Sequence, residues 1–184
     1  MRHEQAGVGV LQDEDDAQID ELTGLATRRG FFEQATAVFL DSEKTQDAQL
    51  TAVFVDLNGL AYVNDTYGHH AGSELIREAA AALISVAREG DVIGRVGGDE
   101  LAMLRPGGAD GVEQLRFEIG DAVAFASRAD REFGVSVSLG VAIATVAKAG
   151  SLDGLLGLAD EAMYEHKISA GGIRGQRHVR GHQR

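Results

Sequence analysis

The chain has 184 residues, with 17 Lys and Arg against 29 Asp and Glu for a formal net charge of −12, 44% hydrophobic and 25% charged residues, and no cysteine. This composition excludes a disordered polyelectrolyte, a disulfide framework, thiolate catalysis and a cysteine-ligated zinc site, and the acidic balance argues against nucleic acid as a partner. The length suits one domain with short tails. No run reaches the roughly 18–20 apolar residues of a membrane span, so no membrane insertion is expected. The N-terminus lacks the apolar stretch of a secretory signal, and a cytoplasmic location is expected.

In chain order, residues 1–19 are polar and acidic, with Asp13, Glu14, Asp15 and Asp16 together, and read as a tail or linker ahead of a domain over 20–170. From Arg28 to Leu40, Phe31, Phe32, Ala35, Val38 and Phe39 recur at helical spacing. Thr51 to Val55 is an unbroken apolar run rich in β-branched residues, a buried strand that ends at Asp56. Ser73 to Arg88 carries the most regular helical stripe: Leu75, Ile76, Ala79, Ala80, Leu83, Ile84 and Ala87. Asp91–Val96 and Glu100–Leu104 read as short strands joined at Gly97–Gly98, whose tolerance of positive φ suits a two-residue hairpin turn. Gly111 to Ser127 reads as a helix through Val112, Leu115, Ile119, Val123 and Ala126. Val135, Val137, Leu139, Val141 and Ile143 then alternate with small residues as a strand. Leu152 to Lys167 closes the domain as a helix with Leu155, Leu156, Ala159 and Met163 inward. Residues 171–184, with Arg174, Arg177, Arg180, Arg184 and no acid, read as a basic tail. This order predicts an α+β domain, a mixed and largely antiparallel sheet with helices packed on it.

Phosphate loops of the Gly-x-x-x-x-Gly-Lys type, Gly-x-Ser-x-Gly elbows and His-Glu-x-x-His zinc motifs are all missing. Two acidic positions stand out instead. Asp56 ends a buried strand, and Asp99-Glu100 follow Gly97-Gly98 in the hairpin. If the strand lies beside the hairpin, three carboxylates meet at one end of the sheet, where their repulsion calls for a divalent cation, Mg²⁺ or Mn²⁺ by the hardness of the oxygen donors. Taken one at a time, the same residues also read as a helix cap and a solvated acidic turn.

Several segments then fall into one pattern: Asp20-Glu-Leu-Thr-Gly-Leu25, Asp56-Leu-Asn-Gly-Leu60, Val63-Asn-Asp-Thr-Tyr-Gly-His69, Arg95-Val-Gly-Gly-Asp-Glu-Leu101, Val137-Ser-Leu-Gly-Val141, and Ala159-Asp-Glu-Ala-Met-Tyr164 with Lys167. In this order and spacing they resemble the GGDEF domain of diguanylate cyclases, over roughly Asp20 to Lys167. The resemblance implies a five-stranded nucleotide-cyclase palm with a ferredoxin-like core, similar to adenylyl cyclases and polymerases. It implies condensation of two GTP into cyclic di-GMP and pyrophosphate by two-metal phosphoryl transfer, across a homodimer. A domain that binds GTP or cyclic di-GMP without turnover is the alternative.

By the same resemblance, Asp56, the Leu57 carbonyl, Asp99 and Glu100 hold the metal, Glu100 and Asp99 being catalytic. Gly97 and Gly98 give the nucleotide room, the amides of Asn58, Gly59 and Leu60 cradle phosphate, Asn64 reads guanine, and Lys167 contacts phosphate. Arg88-Glu-Gly-Asp91 matches an inhibitory site for the product cyclic di-GMP, Arg88 forking onto it and Asp91 accepting from guanine. The chain departs from the family at Ala61, where Lys is usual, at Gly171, where Arg is common, and at Leu101, in place of Phe. Ser73 replaces an Asp that accepts from guanine. A neutral hydroxyl tolerates adenine, so Ser73 resembles a hybrid promiscuous subgroup that uses ATP with GTP and makes cyclic GMP–AMP. Ser73 also reads simply as the N-cap of its helix.

Overall fold

A computed structural model describes residues 18–108, 111–127 and 133–169 of the chain. The basic segment at 171–184 and all of the acidic segment at 1–19 except Gln18 and Ile19 lie outside the described residues. Those two are already part of the fold: Ile19 bridges to Ala26, and the Gln18 carbonyl accepts from Thr27 N–H at 2.9 Å.

The elements are β1 (Ala26–Thr27), α1 (Arg28–Ser42), β2 (Gln49–Leu57), α2 (Leu60–Tyr67), α3 (His69–Ser85), β3 (Val92–Arg95), β4 (Glu100–Pro106), α4 (Val112–Ala126), β5 (Val137–Thr145), α5 (Val146–Ala149) and α6 (Leu152–Ser169). They form a five-stranded sheet in the order β1-β3-β4-β2-β5, with β1 parallel to β3 and every other pair antiparallel. The fold is therefore the α+β arrangement expected, a mixed and mostly antiparallel sheet flanked by helices. No described helix is long and apolar enough to cross a membrane.

The sheet is buried on both faces. On one, Val53, Val55, Leu101, Met103, Leu139 and Val141 meet Leu75, Leu83, Leu115 and Ile119 of α3 and α4. On the other, Leu50, Ala52, Ala102 and Leu104 meet Phe31 and Phe39 of α1 and Leu155 and Ala159 of α6. Burying each large side chain of this kind contributes roughly 1.5–3 kcal/mol. The helices start where their caps dictate. Thr27 accepts from Gly30 N–H ahead of α1, and Gly68, at φ +87°, turns the chain from α2 into α3.

Three local expectations change. Ser73 is not an N-cap, because α3 already begins at His69, one turn earlier. Ile84 of the predicted stripe is 48% exposed, and Ala87 lies past the end of the helix. Gly97 and Gly98 are not among the glycines at positive φ, since the connection runs from Val96 to Asp99 and has no need of a two-residue turn. The small residues of β5 are buried. Helices cover both sides of it, and Ser138, Gly140, Ala142 and Ala144 form a shallow floor under α6.

Gly140 shows why that floor must be shallow. A Cβ there would run into the Ala159 carbonyl oxygen and lie 2.6 Å from the Met163 backbone nitrogen. Gly140→Ala is expected to lift α6 from β5 and cost about 1–3 kcal/mol, read as a lower urea midpoint at an unchanged slope.

Candidate active site

Strand register assembles the acidic end of the sheet. Asp56 stands opposite Glu100 on β4 and Ser138 on β5. Alternation along β2 sends Val53, Val55 and Leu57 to the α3–α4 face and Leu50 and Ala52, and with them Asp56, to the α1–α6 face. There Lys167, in the last turns of α6, donates from Nζ to Asp56 Oδ1 at 2.7 Å, with side chains 31% and 13% exposed. Asp99 is tied in through its carbonyl, which accepts from Leu57 N–H at 3.0 Å. Among the described residues no three acidic or histidine side chains are gathered into a ready-made cation cage. The donors Asp56, Asp99, Glu100 and the Leu57 carbonyl are nonetheless all hard oxygens. Asp56 already holds one cation, the Lys167 ammonium, so the set suits a divalent ion such as Mg²⁺ or Mn²⁺.

Past Asp56 the chain is clamped to β5. Asn58 N–H donates to the Ser136 carbonyl at 2.8 Å, Asn58 Nδ2 to Ser136 Oγ at 3.2 Å, and Ser138 Oγ to Asn58 Oδ1 at 2.9 Å. The expected phosphate cradle loses one member here, because the Asn58 amide is already bonded. Gly59, at φ +73°, then turns the chain into α2 with Leu60 as its first residue.

The hairpin connection is braced by two arginines that the sequence reading left without a role. Arg28 Nη1 donates to the Val96 carbonyl at 3.0 Å, and Arg95 Nη2 to the Gly98 carbonyl at 2.8 Å. Arg95 also reaches Asp20 Oδ2 at 3.2 Å. Burial pushes the Asp20 carboxyl up, but hydrogen bonds from Thr23 Oγ1 and N–H, together with the Arg95 guanidinium, outweigh it and hold the pKa below its ordinary value. A Cβ at Gly97 would strike the Glu100 carboxylate and lie 3.0 Å from its Cδ. A side chain at 97 would therefore displace the Glu100 carboxylate from its place against the turn.

On the opposite face of the sheet end, a cavity of about 440 Å³ lies between α2, α3 and the hairpin connection. Asn64, Ser73, Gly98 and Asp99 line it, as do Ala61, which carries no charge, and Arg95. The sequence thus anticipated five lining residues, Leu60 being the fifth, and gave no role to Arg95 or to Gly72, which directly precedes Ser73.

The Arg88–Asp91 pair is arranged otherwise than expected. Asp91 is not available to accept from a guanine: its side chain is 1% exposed and bonded to Arg105, itself 2% exposed. Arg105 Nε donates to both Asp91 oxygens at 3.1 Å, Nη2 donates to Oδ2 at 2.8 Å and to the Val86 carbonyl at 2.9 Å, and Arg88 N–H donates to Oδ2 at 2.8 Å. The carboxylate is satisfied internally, and it locks the end of α3 to β4.

Two outcomes follow. Asp91→Ala leaves a buried guanidinium uncompensated and is expected to cost about 3–5 kcal/mol of stability, measured by chemical denaturation. Asp20, with its lowered folded pKa, stabilises fully at pH well above the ordinary 3.8 and loses that contribution as pH falls through the lowered value. Asp20→Asn should accordingly flatten the acid limb of a stability–pH curve and leave its neutral-to-alkaline shape unchanged.

The chain matches the family described as diguanylate cyclase, GGDEF domain, over residues 17–172. It is 34% identical over 174 residues to diguanylate cyclase TpbB of Pseudomonas aeruginosa, covering 89% of this chain and 39% of TpbB. It is 31% identical over 158 residues to the response regulator PleD of Caulobacter vibrioides, covering 83% of this chain and 34% of PleD. The chain thus spans under two fifths of the length of either relative. Among solved structures, the GGDEF domain of DgcB from Caulobacter crescentus, in complex with c-di-GMP, aligns with a TM-score of 0.74 at 28% identity, over 84% of this chain and 90% of that one. With the family matched across nearly the whole fold and its signature acids at the end of β2 and in the β3–β4 connection, this chain belongs to the GGDEF domain family of diguanylate cyclases.

Proposed function

We propose that this domain condenses two GTP into cyclic di-GMP with release of two pyrophosphates, two copies of the chain meeting so that each offers its nucleotide to the other. The observation that carries the reading is the register of Asp56 against Glu100, with Gly98 and Asp99 at the rim of a cavity large enough for a purine. In each half-reaction the ribose 3′-oxygen of one nucleotide attacks the α-phosphorus of the other. A P–O bond forms, the bond to the pyrophosphate leaving group breaks, and the hydroxyl proton passes to a base. Glu100 is the carboxylate assigned to that proton.

The geometry explains the division of labour. The carboxylates of Asp56 and Glu100 belong to the α1–α6 face, whereas the cavity opens toward α2 and α3. A nucleotide with its base beside Asn64 and Ser73 must carry its phosphates over the connection at Gly98, where an added Cβ would meet open space, and past the Glu100 carboxylate that lies against Gly97. Asp56, the Leu57 carbonyl, Asp99 and Glu100 would hold Mg²⁺ or Mn²⁺, which when bound supplies charge neutralisation and a more acidic attacking hydroxyl. Lys167 sits close enough to Asp56 to exchange that carboxylate for a phosphate oxygen. Ser73, a neutral donor and acceptor, accepts either purine, so ATP enters as a second substrate and cyclic GMP–AMP as a second product.

One observation favours a binding domain without turnover: Ala61 puts a methyl group on the cavity wall where the family has a lysine, and Arg95 on the same wall is already bonded to Asp20 and Gly98. The deciding experiment incubates the purified chain with GTP, ATP or both, with Mg²⁺, and reads cyclic dinucleotides by mass spectrometry. Cyclic di-GMP from GTP alone is expected, falling by about 100-fold or more in Asp56→Asn and Glu100→Gln. No cyclic product from any mixture, in protein shown to dimerise, would replace the cyclase by the binding domain.

A further inference from the structure

Gly72 lies inside α3, fully buried and in ordinary helical conformation, where glycine costs about 1 kcal/mol relative to alanine. Its place is explained by what faces it. A Cβ built at position 72 would overlap Asn64 Oδ1, lie 2.9 Å from Asn64 Cγ and 3.1 Å from Leu60 Cδ1. Asn64 projects from α2 across the gap between the two helices, and Gly72, Asn64 and Ser73 line the same cavity. The Asn64 carboxamide therefore sits in a notch that exists only because residue 72 has no side chain.

From this we infer that Gly72 is a positioning residue for purine recognition: the notch seats Asn64 Oδ1 against the glycine and so fixes the carboxamide on the wall of the cavity that a base edge would enter. The inference rests on the proposed reading that Asn64 contacts the nucleotide base, and it adds the residue that sets the contact's geometry. Alanine at 72 would raise helix propensity and drive Asn64 into another rotamer, a small movement for the far end of a flexible side chain. Stability and recognition should then part company, which a merely structural glycine would not produce.

The test is a double-mutant cycle of Gly72→Ala and Asn64→Ala, with GTP affinity measured by calorimetry and melting followed by circular dichroism. Gly72→Ala is expected to weaken GTP binding about tenfold, with KM affected more than kcat. In the Asn64→Ala background the same change should have little further effect on affinity and should raise the melting temperature, the obstructing carboxamide being gone. Should Gly72→Ala alone fold poorly, GTP affinity of the double variant against Asn64→Ala decides instead: equal affinities support the inference and a further loss overturns it. Unchanged GTP affinity in Gly72→Ala, or a full effect persisting in the Asn64→Ala background, overturns it. A third result separates the two readings: if Asn64→Ala itself binds GTP as the parent does, base reading by Asn64 fails, whereas weakened Asn64→Ala beside normal Gly72→Ala refutes only the notch.

Discussion

A slip of one residue between β2 and either neighbour would send Asp56 to the other face of the sheet and part it from Glu100. What prevents the slip is that β2 is hydrogen-bonded along both edges and buried on both faces, so an offset would reverse Leu50, Ala52, Val53, Val55 and Leu57 together. The apolar residues of one strand thereby fix the position of a charged one. The same register puts Ser138 beside Asp56, and the floor of small residues beyond it lets α6 approach until Lys167 meets that carboxylate. Core packing and site geometry are here one constraint, expressed at two ends of the same strands.

The site is divided by the sheet rather than gathered in one cleft. The carboxylates of Asp56 and Glu100 belong to the α1–α6 face and the cavity to the α2–α3 side, with the β3–β4 connection, whose Asp99 lines the cavity, at the boundary. Such a boundary must be stiff to hold two halves of one nucleotide in register, and each piece is braced by a different set of bonds. Arg28 and Arg95 hold the carbonyls of Val96 and Gly98, and Ser136 and Ser138 hold Asn58. These bonds go to backbone carbonyls and a neutral amide, so they fix geometry without spending the cluster's own carboxylates.

Much of this was legible in the sequence, and the exceptions have a common cause. The run Thr51–Val55 and the stripe Leu75, Ile76, Ala79, Ala80, Leu83 announce themselves because local periodicity records which face is buried. Asp56 and Glu100 were legible as the polar residues that end apolar runs. What periodicity cannot record is pairing across the fold. The partner of Asp91 is Arg105, fourteen residues away and on another strand, and only the β3–β4 register brings them together in the interior. Asn58 lost its expected role for a similar reason, since its amide bonds Ser136 from the far edge of the sheet. Gly97 was singled out both for a positive φ, which it lacks, and for room for a nucleotide; what the structure sets against it is the Glu100 carboxylate, three residues on.

Charge places the final limit on the site. Three carboxylates, Asp56, Asp99 and Glu100, stand at this end of a chain whose net charge is −12, and the nearest cations are already engaged, Lys167 with Asp56 and Arg95 with Asp20. A nucleoside triphosphate brings further negative charge into the same region. With alanine at 61 and Arg95 bonded to Asp20, no Lys or Arg among the described lining residues is left uncommitted to receive it. On the proposed reading, phosphate would be met by backbone amides at Gly59 and Leu60 and by a divalent ion that would turn the carboxylates from a repulsive surface into ligands. The base end has the opposite character: no acid stands where the family places one beside the purine, and recognition falls to a hydroxyl and a carboxamide whose worth depends on orientation alone. That is why a glycine with no polar atom of its own side chain can govern what this cavity distinguishes.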